Sequence, residues 1–146
     1  METLAVILII IAAVFAVYWT FRIKKVVPKV INLGMVLGIL ILMIPQLKLF
    51  ETGLYVYLGF VAIAFFYGLA DPKRSLIDRL VICLMPAGIF LFWLWTINHW
   101  HGNTVYMPVF VLLIALAGML TKTRLRNELG FLVIIAMDAI AILLSM

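Results

Sequence analysis

Six apolar runs, residues 4–21, 30–47, 53–70, 80–98, 104–120 and 129–146, follow one another along the chain with only short charged or turn-forming segments between them. A hydrocarbon core about 30 Å thick takes about 20 helical residues at 1.5 Å each, and slightly shorter runs cross where the bilayer thins locally. The pattern predicts an all-α, polytopic integral membrane protein: a compact bundle of six transmembrane helices forming a single transmembrane domain over residues 1–146. Composition points the same way. At 68% hydrophobic and 12% charged, the chain carries more apolar surface than a soluble domain of 146 residues hides in one core. The connections are too short for a soluble domain, so any site must lie within the membrane or at its interface.

Charge sets the orientation. Ten of the eleven Lys and Arg fall in or beside the connections after the first, third and fifth runs, and only Lys48 follows the second. The excess of cations on cytoplasmic loops then puts both termini on the non-cytoplasmic side of a cell (inner or plasma) membrane. A net charge of +5 gathered in such clusters answers to anionic lipid, and nucleic acid is excluded as a partner. The chain opens Met1-Glu2-Thr3 with no basic segment and no A-x-A site after the first run, so a retained helix is expected there. Cys83 is the sole cysteine and sits in an apolar run, which leaves no internal disulfide and reads as a small buried residue.

Within the runs, small residues and prolines carry the local information. Gly34 and Gly38 form a GxxxG pair, and Ala64 and Gly68 a second small-residue pair, where helices can approach closely. Gly59 falls on the opposite face from Gly68. Pro28 suits a first helical turn, Pro45 falls near the end of the second run and Pro108 in the first turns of the fifth, while Pro86 predicts a kink that frees the carbonyl of Ile82. Thr52 reads as an N-cap, and Asp71-Pro72 as N-cap and first residue of the fourth helix. Tyr18, Trp19 and Phe21, and at the other side Trp93, Trp95 and Trp100, read as aromatic anchors at the two interfaces. Glu51-Thr-Gly-Leu-Tyr-Val and Glu128-Leu-Gly-Phe-Leu-Val suggest two inverted three-helix halves.

Asp138 stands alone in the last run, LGFLVIIAMDAIAILLSM. A charge there would cost roughly 2.5 to 3.5 kcal/mol, so a role is expected for it. No Lys or Arg is expected at its depth, and burial should hold the carboxyl largely neutral, a donor as well as an acceptor. The Ile82 carbonyl is one conceivable partner. Helix packing within the chain or against a partner, a proton or ion step, and acid–base catalysis are its three possible roles. His99 and His101 lie two apart in a turn, with Glu2 and Glu51 expected on the same side; as metal ligands they are weak candidates, because nothing in the spacing makes three or four converge. No metal, no cofactor and no nucleophile elbow, phosphate loop, CxxC or HExxH motif is expected.

Two resemblances bear on function. Gly130 and Asp138, eight apart, with Met107-Pro108-Val109 upstream, resemble the multi-span lysoplasmalogenases, in which a glycine precedes a membrane aspartate by eight residues in two helices. That resemblance implies a lipid-processing enzyme using Asp138, although Val61 stands eight residues after Gly53 where a second aspartate would be and the chain has two helices fewer. His99, Trp100 and Gly102 resemble the hairpin turn of inner-membrane motor subunits of gliding and type IX secretion machinery, with His101 in place of a proline. The function expected from the residues themselves is a non-enzymatic accessory or structural subunit. It would pack on protein partners, or on copies of itself, through Gly34, Gly38, Ala64, Gly68 and Asp138. A lipid-processing enzyme and a small carrier or proton-conducting subunit are the alternatives.

Overall fold

The computed structural model describes residues 2–44, 50–71, 73–121 and 125–146. Over these the chain is all-helical: α1 (Glu2–Thr20), α2 (Val26–Leu42), α3 (Phe50–Ala70), α4 (Leu76–Ile97), α5 (Tyr106–Leu120) and α6 (Leu129–Ser145). Three helices, α1, α3 and α4, are long and apolar enough to cross a membrane on their own. The other three are equally apolar but shorter. At 17, 15 and 17 residues, α2, α5 and α6 extend about 26, 23 and 26 Å.

The helix starts differ from the expected ones for local reasons. α2 begins at Val26, four residues early, and takes Pro28 into its first turn, where a missing N–H leaves no bond unmade. α3 begins at Phe50, so Thr52 is an interior residue and not a cap. The cap of α4 is Ser75, whose hydroxyl accepts the Asp78 N–H at 3.1 Å, and not Asp71. Asp71 instead closes a small turn by accepting the Lys73 N–H at 3.1 Å. Pro45, Gln46, Lys48, Pro72, Lys122 and Arg124 lie outside the described residues. α4 continues as one helix through Pro86.

Consecutive helices pack side by side, and α6 closes the set by packing on both α1 and α5. α6 also touches α2 and α4, which puts it in the interior: Phe131, Ile135 and Ala139 are completely buried. α3 packs chiefly on α2 and α4, whereas α6 packs on α1, α5, α4 and α2, so the two Glu-x-Gly segments that hinted at equivalent halves occupy unlike places.

The connections α1–α2, α3–α4 and α5–α6 meet at one end of the bundle. Trp19 Nε1 donates to the Arg126 carbonyl at 2.8 Å, the Lys24 N–H to Asn127 Oδ1 at 3.1 Å, and Lys25 Nζ lies 3.7 Å from Asp71. We call this the basic end.

The small residues are used inside the bundle. A Cβ on Gly38 would lie 2.7 Å from the backbone nitrogen of Tyr57, and one on Gly53 would lie 2.7 Å from that of Leu42, so α2 and α3 approach backbone to backbone. Gly34 lies under the Phe60 ring, Gly68 faces Ile82 and Cys83, and Ala64 is fully buried. Around Gly59 a Cβ would meet nothing within 4 Å.

Candidate functional site

Asp138 projects from α6 nine residues, about 14 Å, beyond Leu129. Two side chains from other helices reach it. The Tyr57 hydroxyl of α3 donates to Oδ2 at 3.0 Å, and the Trp93 indole N–H of α4 donates to the same oxygen at 3.1 Å. The Ile82 carbonyl is not its partner. Trp93, grouped by sequence with Trp95 and Trp100 as an interface anchor, is a hydrogen-bond donor to the buried carboxyl. Only Trp95 and Trp100 pair with each other, edge to face at 5.1 Å.

Asp138, Tyr57 and Trp93 form the polar corner of a cavity of about 360 Å³. Its other walls are apolar and include Val6, Ile9 and Ala12 of α1, Ile39 of α2 and Leu54 of α3. Val6 and Phe50, both exposed, mark where it opens on the surface of the bundle. Asp138 retains 7% exposure, and its Oδ1 accepts no hydrogen bond from the described residues. One carboxylate oxygen thus ties three helices and the other is free for a ligand.

A second polar group lies at the basic end, where Glu128, buried at the start of α6, accepts from Arg74 Nη2 at 2.9 Å and from the Tyr67 hydroxyl at 3.0 Å. The Arg74 guanidinium also reaches Asp71 at 3.3 Å and lies over the Tyr67 ring, 4.4 Å from its centre. Burial alone would lower the Arg74 pKa, but Glu128, Tyr67 and Asp71 together outweigh that and the pKa is raised. The Lys73 N–H, with Arg74, holds Asp71 below its ordinary carboxylate value.

The third is Asn32, fully buried, whose amide donates to the Ala16 carbonyl at 2.7 Å and to Thr20 Oγ1 at 2.8 Å. Gly130 gives it room: a Cβ there would stand 2.7 Å from Asn32 Oδ1. Nothing in the sequence marks Asn32, Tyr57 and Tyr67 as partners of one another or of the acids. Their one available signal was that each lies within an otherwise apolar run.

His99 adopts a left-handed backbone, φ 51°, and Gly102 a φ of 149° with the Trp95 ring close by, which shapes the tight turn. Among the described residues no group of three or more His, Cys, Asp or Glu is gathered as metal ligands, so the turn brings His99 and His101 no third partner there.

The pairing that the lysoplasmalogenase resemblance implies is also incomplete in space. Gly130 packs on Asn32, Val61 is fully buried, and among the described residues no second carboxylate lines the Asp138 cavity. The corner offers one carboxyl, one phenol and one indole. These suffice to bind a polar group in an apolar setting. No known family, curated protein or solved structure matches this chain.

Proposed function

We propose that the chain is a multi-pass protein of the cell (inner or plasma) membrane whose Asp138 cavity binds a lipid-soluble ligand without transforming it. All six helices cross the bilayer and both termini lie on the non-cytoplasmic side. The gathering of three cation-bearing connections at one end supports that orientation. Local thinning accommodates the shorter α2, α5 and α6.

One observation carries the binding reading: Asp138, whose Oδ1 accepts no hydrogen bond from the described residues, lines a largely apolar cavity between helices. Such a pocket selects a long apolar molecule bearing one hydrogen-bond donor, a hydroxyl or an amine, which enters from the lipid. Acid–base chemistry asks for a second titratable group poised apart from the first, and Tyr57 is already bonded to Asp138.

The test uses Trp93 as reporter. With Trp19, Trp95 and Trp100 replaced by Phe, a brominated long-chain alcohol should quench Trp93 saturably, and Ala12→Leu, which fills the cavity, should abolish saturation. Quenching that rises linearly in both proteins, as simple partitioning into micelles gives, would dispose of the reading.

A second reading, an accessory subunit docked on a partner or another copy, draws on α5. That helix buries only Pro108, Val111 and Gly118, and presents Leu113, Leu116 and Leu120 outward. Native mass spectrometry from mild detergent tests it; a lone monomer would count against it.

A further inference from the structure

A second cavity, about 610 Å³, opens at the basic end between α4, α5 and α6. Its floor is apolar, with Met85 buried beneath and Ala115 and Ala136 leaving space between α5 and α6. Its rim is cationic. Arg22 and Arg126, both exposed, stand there beside Trp19.

These two arginines differ from Arg74 and Lys25, which face acids. Arg74 is bonded to Glu128 and Asp71, and Lys25 lies near Asp71. Arg22 meets only aromatic partners, donating to the Tyr18 hydroxyl at 2.9 Å and lying 5.8 Å from the centre of the Trp19 ring. Arg126 is positioned through its carbonyl, which accepts the Trp19 N–H. Neither has an ion pair among the described residues. The ion pairs of the described residues gather around Arg74, while Arg22 and Arg126, without one, stand over an apolar slot.

We propose that this crevice binds an anionic phospholipid, with one acyl chain between α5 and α6 and the phosphate on Arg22 and Arg126. The site rests on the reading that these helices cross the bilayer, which brings the basic end to headgroup level. A soluble anion gains nothing from the floor, and a zwitterionic headgroup brings its own cation against the arginines. An anionic lipid satisfies both parts, as expected of basic pockets between membrane helices.

Native mass spectrometry of the full chain in neutral detergent, titrated with phosphatidylglycerol and phosphatidylcholine, tests this. One phosphatidylglycerol should be retained in preference to phosphatidylcholine. Arg22→Gln with Arg126→Gln should weaken retention about 25-fold, taking about fivefold for each cation lost at the surface. Lys24→Gln with Lys29→Gln removes the same charge away from the crevice and should leave retention unchanged. Arg22→Lys with Arg126→Lys should keep most of it and guards against misfolding of the Gln variant. Ala115→Phe, which fills the slot, should lose the lipid with both arginines present, and inorganic phosphate should not compete. Equal losses in the two charge-removing variants, equal retention of both lipids, or displacement by phosphate would each overturn the proposal. The lipid titration does not involve the Asp138 cavity, so its failure is separable from failure of the Trp93 quenching test.

Discussion

Gly38 and Gly59 are chemically identical positions in neighbouring apolar helices, and replacing each by alanine should shift stability in opposite directions. In a helix interior, Gly→Ala is worth about 0.5–1 kcal/mol in favour of the folded chain, because the glycine backbone has more freedom to lose. Gly59 has nothing within 4 Å of a new Cβ, so Gly59→Ala should show that gain undiminished. At Gly38 the new methyl would stand 2.7 Å from the Tyr57 nitrogen and 2.9 Å from its Cα. These are backbone atoms, which cannot swing aside, so α2 and α3 must separate. Overpacking of this kind costs about 1–3 kcal/mol, and the net loss for Gly38→Ala should be about 1–2 kcal/mol. Displacing Tyr57 also lengthens its bond to Asp138. Reversible unfolding in mixed micelles, followed by tryptophan fluorescence, measures both variants on one scale. If Gly38→Ala proved as stable as Gly59→Ala, the backbone contact between α2 and α3 would be wrong.

Three further outcomes are expected. Breaking the Arg74–Glu128 pair, whose side chains are only 9% and 5% exposed, by Glu128→Leu should cost about 3–5 kcal/mol in the same unfolding assay, while adding Arg74→Met should restore much of it; no recovery would mean that the pair is not the source of the loss. Tyr57→Phe should cost about 0.6–1.7 kcal/mol in the native chain and close to nothing once Asp138 is Leu, since the hydroxyl then has no acceptor to lose; equal costs in both backgrounds would deny the bond. With Cys83→Ala as background, Asn103→Cys should be labelled by an impermeant maleimide on intact cells and Lys73→Cys only after permeabilisation; the reverse pattern would invert the proposed topology.

The helices were legible because apolar runs between charge clusters leave few other arrangements. Their ends were less so. Around the start of α4 both Asp71 and Ser75 have capping chemistry, and only the path of the chain decides that Ser75 bonds the Asp78 N–H. Contacts were hardly legible at all, for a physical reason. In a soluble helix the polar face declares the outside, but here lipid-facing and core-facing residues are alike apolar, and no periodicity separates them. Trp93 therefore looked like its neighbours Trp95 and Trp100, although it turns inward to a carboxylate 45 positions away. The Arg74–Glu128 pair spans 54 positions and was hidden in the same way, its residues reading as two ordinary loop charges.

What distinguishes the interior helix is its polar bonding. Glu128 at the head of α6 takes Arg74 and Tyr67, Gly130 makes room for Asn32 between α1 and α2, and Asp138 takes Tyr57 and Trp93. Glu128 and Asp138 both reach α3, through Tyr67 and Tyr57, and Asp138 also reaches α4 through Trp93, so α6 is held by directional bonds where burial of apolar surface gives little preference. Asp138 has a double duty in this scheme, because its Oδ2 closes the bundle while the residue also lines the cavity with Oδ1 unbonded among the described residues. The two duties can be separated. Asp138→Asn keeps a carbonyl oxygen for the Tyr57 and Trp93 donors but turns an amide donor toward the ligand, so the fold should persist within about 1 kcal/mol while saturable binding of a long-chain alcohol falls at least about tenfold. Asp138→Leu removes both oxygens and should lose binding and stability together, the latter by roughly 1–3 kcal/mol as two donors are stranded. If Asn and Leu destabilised the bundle equally, the tie would depend on the carboxyl itself; if Asn bound the alcohol normally, Oδ1 would not be the contact that the cavity offers.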